Sequence, residues 1–380
     1  MKTSIKFQFY TGLLLSVWSL GHAQERHRFE GQTLSGYEYN YFKSPEQLIL
    51  GDSTLTSADL IASSSYQDFL ADYDYRYKKK GHRIRFRIAP ELRFFHERTD
   101  DSYWQVNSWL KYDYRLGKRT KLLAEGRFNR MNREGLDGAQ DVLVNPLGYT
   151  LYGASAGLGF TLLKNNRSEL EFFGNYKNFD AFGSRDLEYL ERGASLSIRQ
   201  EFRPGKYEHQ LSARVYYKQR LYTTFNAADS PAEGERDWWY FRSDISYSFP
   251  LSGYVDLKPE LIYYQRIDRL EERSGFRQLG AGMRLSVKTE KTKLRAAAKY
   301  QLRGYDEIEA ADLEGEGYAP LRYDYLDLSL SFEHQLPLKG LFFIGEGFSR
   351  VRETNTLSLS SRSFRDYRTY YAGLGLRWKP

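Results

Sequence analysis

The sequence predicts an all-β fold, a transmembrane antiparallel up-and-down β-barrel of about sixteen strands, with fourteen as the alternative. Three observations carry this reading. Apolar and charged residues alternate with a period of two over long stretches. Short turns alternate with long connections. The chain is rich in aromatics, with 32 Tyr, 24 Phe and 6 Trp, and it has no cysteine.

The alternation is clearest at residues 292–303. Leu294, Ala296, Ala298, Tyr300 and Leu302 are apolar or aromatic, and Lys293, Arg295, Lys299, Gln301 and Arg303 lie between them. Successive side chains of a strand point to opposite faces, so such a stretch has one greasy face and one charged face. Ile84, Phe86, Ile88, Leu92 and Phe94 likewise alternate with Arg83, Arg85, Arg87, Glu91 and Arg93. Leu170, Phe172 and Tyr176 alternate with Glu169, Glu171 and Lys177. Leu326, Leu328, Leu330 and Phe332 alternate with Asp327, Ser329, Ser331 and Glu333. Strands of about 10–14 residues exceed the 5–6 typical of globular sheets, which argues against a soluble sandwich. Pro90 interrupts one strand and reads as a local bulge.

Gly, Pro, Asn and Lys mark short turns at 78–81, 115–118, 164–167, 203–206, 250–253, 288–291 and 337–340. Longer connections fall near 44–65, 96–101, 132–147, 180–190, 221–237, 267–275, 305–320 and 353–365. Stepping back from a last strand near 366–378 places the first near 33–43, around Tyr37, Tyr39 and Tyr41, and the next near 66–77. Both chain ends then share the short-turn side, which is periplasmic in barrels of this type.

Residues 1–23 read as a secretory signal peptide, leaving residues 24–380 for the barrel. Lys2 and Lys6 precede a short apolar core of Leu13, Leu14, Leu15, Val17, Trp18 and Leu20, and Gly21-His22-Ala23 supplies small residues for cleavage before Gln24. The core is too short for a spanning helix, which needs about 20 apolar residues. A mean hydropathy of −0.66 fits a barrel, because the polar half of every strand cancels the apolar half.

The C-terminus carries Tyr370, Ala372, Leu374, Leu376 and Trp378 on one face, with Gly373 five residues before Trp378. Gly373, Leu376 and Trp378 together resemble the terminal-strand signal of bacterial outer-membrane β-barrel proteins, which the barrel assembly machinery reads. Lys379 and Pro380 follow the aromatic residue, and Tyr371 stands where that signal has a polar residue. The Tyr-rich, cysteine-free chain looks like a porin-like barrel of the Bacteroidota. That resemblance implies the outer membrane of a Gram-negative bacterium. The partners it implies are lipid and lipopolysaccharide, the assembly machinery, and small polar solutes where the pore is open; the oligomeric state stays undecided.

The alternation assigns Arg85, Arg87, Arg93, Arg127, Arg214, Arg242, Lys293, Arg295, Lys299, Glu91, Glu171 and Glu260 to the lumen. Leu294, Leu326, Leu328, Leu330 and Phe332, with Ala296 and Ala298, go to the lipid face. The basic excess has two readings, a pore whose field favours anions or a cross-strand salt-bridge lattice that conducts nothing. The loops lean acidic, at Asp306, Glu307, Glu309, Asp312, Glu314 and Glu316, and at Glu233, Glu235 and Asp237. No calcium-loop spacing occurs, so these read as solvated. No long basic block suggests nucleic acid, and no cofactor or metal motif is present. His27, His82, His96, His209 and His334 form no catalytic motif; His96 beside Glu97, Asp100 and Asp101 is the one His–carboxylate cluster on the long-loop side, and a polar loop explains it. The functional expectation is a porin-like channel for small polar or anionic solutes. The alternative is a non-conducting barrel in a surface, secretion or lipoprotein-handling complex. A catalytic role is not expected.

Overall fold

The computed structural model describes residues 27–133, 148–180, 188–222, 235–270, 275–361 and 363–380. The expected signal segment, residues 1–23, lies outside the described residues, as do Glu233 and the central parts of several long connections. The strands are β1 (His27–Tyr39), β2 (Leu48–Leu50), β3 (Ser53–Leu55), β4 (Ser64–Lys79), β5 (His82–Phe95), β6 (Tyr103–Arg115), β7 (Thr120–Asn132), β8 (Tyr149–Phe160) and β9 (Asn166–Phe179). They continue with β10 (Glu188–Phe202), β11 (His209–Tyr222), β12 (Arg236–Pro250), β13 (Val255–Asp268), β14 (Phe276–Lys288), β15 (Thr292–Ala311), β16 (Gly317–Gln335), β17 (Leu341–Thr354) and β18 (Tyr367–Trp378). All but β2 and β3 form one closed antiparallel barrel of sixteen strands, each paired with its chain neighbour. Closure pairs β1 with β18, from Gly31 opposite Trp378 to Tyr39 opposite Tyr370. The small β2–β3 hairpin and a one-turn helix, α1 (Ser57–Leu60), lie in the connection from β1 to β4.

Apart from the β15–β16 connection, the turns sort by length as the sequence implied. The β4–β5 connection is two residues, Lys80 and Gly81, both with positive φ, whereas β1 and β4 are separated by the whole of 40–63. The first described residue, His27, and the C-terminus lie at the short-turn end: His27 pairs with Tyr75 near the β4–β5 turn, and Lys379 N donates to Gly340 O of the β16–β17 turn at 2.7 Å. An even-stranded closed barrel with an apolar outer surface is the outer-membrane type, and this chain is such a barrel.

Three local expectations change. The first strand runs from His27 to Tyr39, not 33–43. Asn40 adopts φ +52° and turns the chain, so Tyr41 leaves the sheet. Residues 305–320 are mostly strand: β15 and β16 are 20 and 19 residues long, beyond the 9–11 needed to cross a bilayer. Only 312–316 turn, where the Asp312 carboxylate accepts from the amides of Glu314 and Glu316. A bulge between Gly304 and Glu309 breaks the alternation there and hides the strand from the pattern. Asp306, Glu307 and Glu309 therefore sit on β15, and Asp237 on β12, instead of in loops. At Pro90 the bulge is absent. The β4–β5 ladder skips Ala71 and Asp72 and resumes in the same register, so the proline costs ladder bonds without inserting a residue.

Candidate functional site

The register divides the barrel wall into two faces whose phase holds around the circuit, apart from the bulge beyond Gly304 in β15. A one-residue slip would move every side chain to the other face. One face carries the charges, and contacts that jump a strand show that it is the concave one. Arg377 on β18 reaches Glu333 on β16 at 2.6 Å, Arg93 on β5 reaches Glu38 on β1 at 2.6 Å, and Lys121 on β7 reaches Glu169 on β9 at 2.6 Å. Side chains that skip a strand can meet only inside the curve. Gly159 on β8 lets Lys121 pass, since a Cβ there would lie 2.2 Å from Lys121 Cε.

Leu294, Ala296, Ala298, Leu326, Leu328, Leu330 and Phe332 share the convex face, with Leu294 opposite Phe332, Ala296 opposite Leu330 and Ala298 opposite Leu328. Leu328 is 46% exposed and Leu330 52%, so nothing in the chain covers them. Four histidines lie on this face at the short-turn end, each bonded to a hydroxyl of a neighbouring strand. His27, His82 and His209 contact Tyr73, Tyr112 and Tyr247 at 2.7, 2.8 and 2.8 Å, and His334 contacts Thr292 at 2.8 Å.

The concave face is an ion-pair lattice over much of its area. Arg85 and Arg76 share Asp74, and Arg87 meets Asp72 at 2.8 Å. Arg93 bridges Asp68 and Glu38, both at 2.6 Å. Lys111 and Arg127 share Glu125, and Arg242 meets Asp244 at 2.8 Å. Lys293, Arg377 and Lys379 converge on Glu333. Lys299 and Arg350 converge on Asp327 at 3.5 and 2.5 Å. Glu91 accepts from Gln105 at 2.7 Å. Arg214, Arg295, Glu171 and Glu260 have no ion pair among the described residues. The sequence pattern missed Glu38, Asp68, Asp72, Asp74 and Glu191. The period-two spacing of Asp68, Asp72 and Asp74 was the available signal, but Tyr66 and Leu70 share their face and blur it.

Toward the long-loop end a second pattern appears. Lys177 lies 3.5 Å from the Tyr149 ring centre, Arg220 4.3 Å from Tyr189, Arg266 4.4 Å from Trp238, Arg303 4.3 Å from Phe276 and Arg352 4.4 Å from Tyr367. These cations stand on β9, β11, β13, β15 and β17 and rest on rings from flanking strands. Rings at Tyr189, Trp238, Phe276 and Tyr367 are buried, so the belt stiffens the wall, at ~0.5–2 kcal/mol per contact.

The chain after β1 folds onto the concave face at that end. Tyr41 stacks on Phe95 with centres 4.6 Å apart and donates its hydroxyl to Asp101. Arg133 lies 4.9 Å from the Tyr103 ring and 5.4 Å from Phe42. Asn40 Nδ2 donates to Arg368 O at 2.9 Å. Burial, then neighbouring Arg350, pushes the Lys43 ammonium below its ordinary value, with Arg352 and Arg133 adding to the shift. The charged neighbours of Lys43 thus come from β17, from the end of β7 and from β1, whose Glu38 opposes the shift. The His–carboxylate cluster is committed elsewhere: Glu97 accepts from Ser65 N and Oγ at 2.6 and 2.8 Å, and Asp101 holds Tyr41. No group of three or more potential metal ligands occurs among the described residues.

The sequence matches no known protein-family model and no curated protein. Solved barrels resemble the structure at low identity. A bacterial polysaccharide outer-membrane secretin is 9% identical, with 92% of this chain and 98% of that chain covered, at a TM-score of 0.46. Pseudomonas aeruginosa OccK9 (OpdG) is 12% identical over 95% and 100% of the two chains, at 0.46. The anion-selective porin from Comamonas acidovorans is 9% identical over 93% and 98%, at 0.44. The likeness is one of barrel architecture.

Proposed function

We propose that the barrel is a porin-like channel for small polar solutes with a preference for anions. The observation that supports this is an imbalance on the concave face. Among the described residues, Arg167, Lys177, Arg199, Arg214, Lys258, Arg284, Arg295, Arg303 and Arg352 have no carboxylate within ion-pair distance. Among the described residues, the acids without a cation partner on that face are fewer: Glu91, Glu171, Glu201, Asp256, Glu260 and Glu346. Lys258 stands directly opposite Arg284, and like charges so placed repel unless an anion lies between them. A low-dielectric wall strengthens the resulting field. In this reading residues 1–23 are removed on export, the barrel assembly machinery inserts residues 24–380 with Gly373, Leu376 and Trp378 in its signal, and the long loops meet lipopolysaccharide. The reading uses no catalytic group and no cofactor.

The experiment is reversal-potential measurement across a salt gradient in planar bilayers. Anion preference is expected, and exchanging Arg284 and Arg295 for Glu should weaken it. A conducting channel that prefers cations would overturn the selectivity. A second reading has its own support in the segment Asn40–Ser44, packed inside the mouth through Tyr41, Phe42 and Arg133. A barrel that never conducts would favour this alternative, a non-conducting part of a surface, secretion or lipoprotein-handling complex.

A further inference from the structure

We propose that the wall formed by β9, β10 and β11 holds a binding site for a small oxyanion of more than one charge, phosphate or a phosphoryl group, with Arg167, Arg199 and Arg214 as its ligands. The register sets Arg167 directly opposite Arg199, Arg199 opposite Ser212 and Ser197 opposite Arg214. Alternation puts all five side chains on the concave face. They line one cavity of about 510 Å³, which Ser246 also borders.

None of the three guanidinium groups has a carboxylate within 4.0 Å among the described residues, although four acids border the cavity. Three of those acids are engaged. Glu125 holds Lys111 and Arg127, Glu169 holds Lys121 and Asp244 holds Arg242. Only Glu171 remains against three arginines. Two arginines directly opposite on a sheet repel, and the chain leaves this repulsion uncompensated where it compensates most others on the face. The three arginines are exposed to the cavity, so a solute can reach them. Arginine forks bind phosphate oxygens in pairs, and the hydroxyls of Ser197 and Ser212 add short donors beside them. A site with three cations discriminates by ligand charge, so a doubly charged oxyanion is favoured over acetate or chloride.

The site deepens the channel reading and rests on it for the route by which the anion arrives. The test is calorimetric titration of the full-length folded barrel in detergent with inorganic phosphate, at low ionic strength and neutral pH, with acetate in parallel. Saturable phosphate binding, tighter than acetate, is expected. Arg199→Gln should weaken it about tenfold or more, the size of one charge-assisted hydrogen bond, and Arg167→Gln with Arg199→Gln should abolish it. Retained folding is checked by the heat-dependent gel shift. Should Arg199→Gln fail to fold, Arg214→Gln and Arg199→Lys carry the same expectation of weaker binding. Absence of saturable phosphate binding by the unaltered protein would overturn the site, as would equal binding of acetate or undiminished binding by the folded variants. Bilayer conductance separates the two readings. Phosphate binding without conductance removes the channel and leaves the site, and conductance without phosphate binding does the reverse.

Discussion

Tyr66 on β4 reaches across β1 to Gly373 on β18: a Cβ at Gly373 would lie 2.7 Å from the Tyr66 hydroxyl and 2.3 Å from Leu34 Cδ2. Gly36 on β1 lies under the same ring, its Cβ position again 2.7 Å from the hydroxyl. Two glycines thus let one aromatic side chain cover the seam where the barrel closes. Gly373→Ala overpacks this seam and should destabilise the barrel by about 1–3 kcal/mol. Denaturant unfolding after refolding into liposomes measures it. The proposed terminal-strand signal makes a different demand, because such a signal acts only through assembly machinery. A variant with full stability in liposomes but poor insertion in cells would show that Gly373 serves the signal and not the seam.

The fold was legible because its outer face is uniform. Leu294, Ala296, Ala298, Tyr300 and Leu302 meet no protein on that side, so nothing disturbed their alternation. The pairing of charges was not legible. Arg87 finds Asp72 and Arg93 finds Asp68 on the preceding strand, and which acid lies opposite which base depends on register, which composition does not display. In the sequence Tyr41 has the signature of a strand residue because its aromatic spacing continues from Tyr37 and Tyr39. The change of direction lies in the backbone at Asn40. The acidic stretch 305–320 has the signature of a loop because its bulge removes the period that identifies a strand.

The convex face should resist charge in proportion to depth. Leu328 lies mid-strand on β16, opposite Ala298 and Ser349, and is uncovered. Leu328→Arg should cost roughly 2–4 kcal/mol at the bilayer midplane, measured by chemical denaturation in lipid. Ser329→Arg, one residue on and facing inward, should cost much less. Equal costs at the two positions would mean that this stretch of wall does not face hydrocarbon.

Asp327 tests whether the lattice sets selectivity. It takes Arg350 through Nε at 2.5 Å and a second nitrogen at 2.7 Å, and Lys299 lies 3.5 Å away. Asp327→Asn leaves both cations unneutralised, so the reversal potential should move further toward anions. Stability should fall by about 1–3 kcal/mol, the cost of stranding a charged partner. An unchanged reversal potential in a folded, conducting variant would place this pair away from the ion path.

Asp366 gives the long loop before β18 a pH dependence. Burial pushes its carboxyl up to about 6, and neighbouring Glu353 adds to this, while a Thr354 backbone hydrogen bond and Arg352 oppose it. Its Oδ1 atom has no hydrogen-bond partner among the described residues. A folded-state value above the unfolded one, about 3.9, means that the ordered loop holds the proton more tightly than the open loop. Below about pH 4 the group is neutral in both states and imposes no penalty. As pH rises through about 6 the ordered loop must accommodate a charge, so its stability falls across that window and stays low above it. Hydrogen exchange over residues 355–366, corrected for intrinsic rates, should show more opening at neutral pH than near pH 4.5. Asp366→Asn should flatten this difference by keeping the side chain neutral throughout. Equal protection at both pH values in the unaltered protein would mean that the Asp366 carboxylate is solvated in the ordered loop.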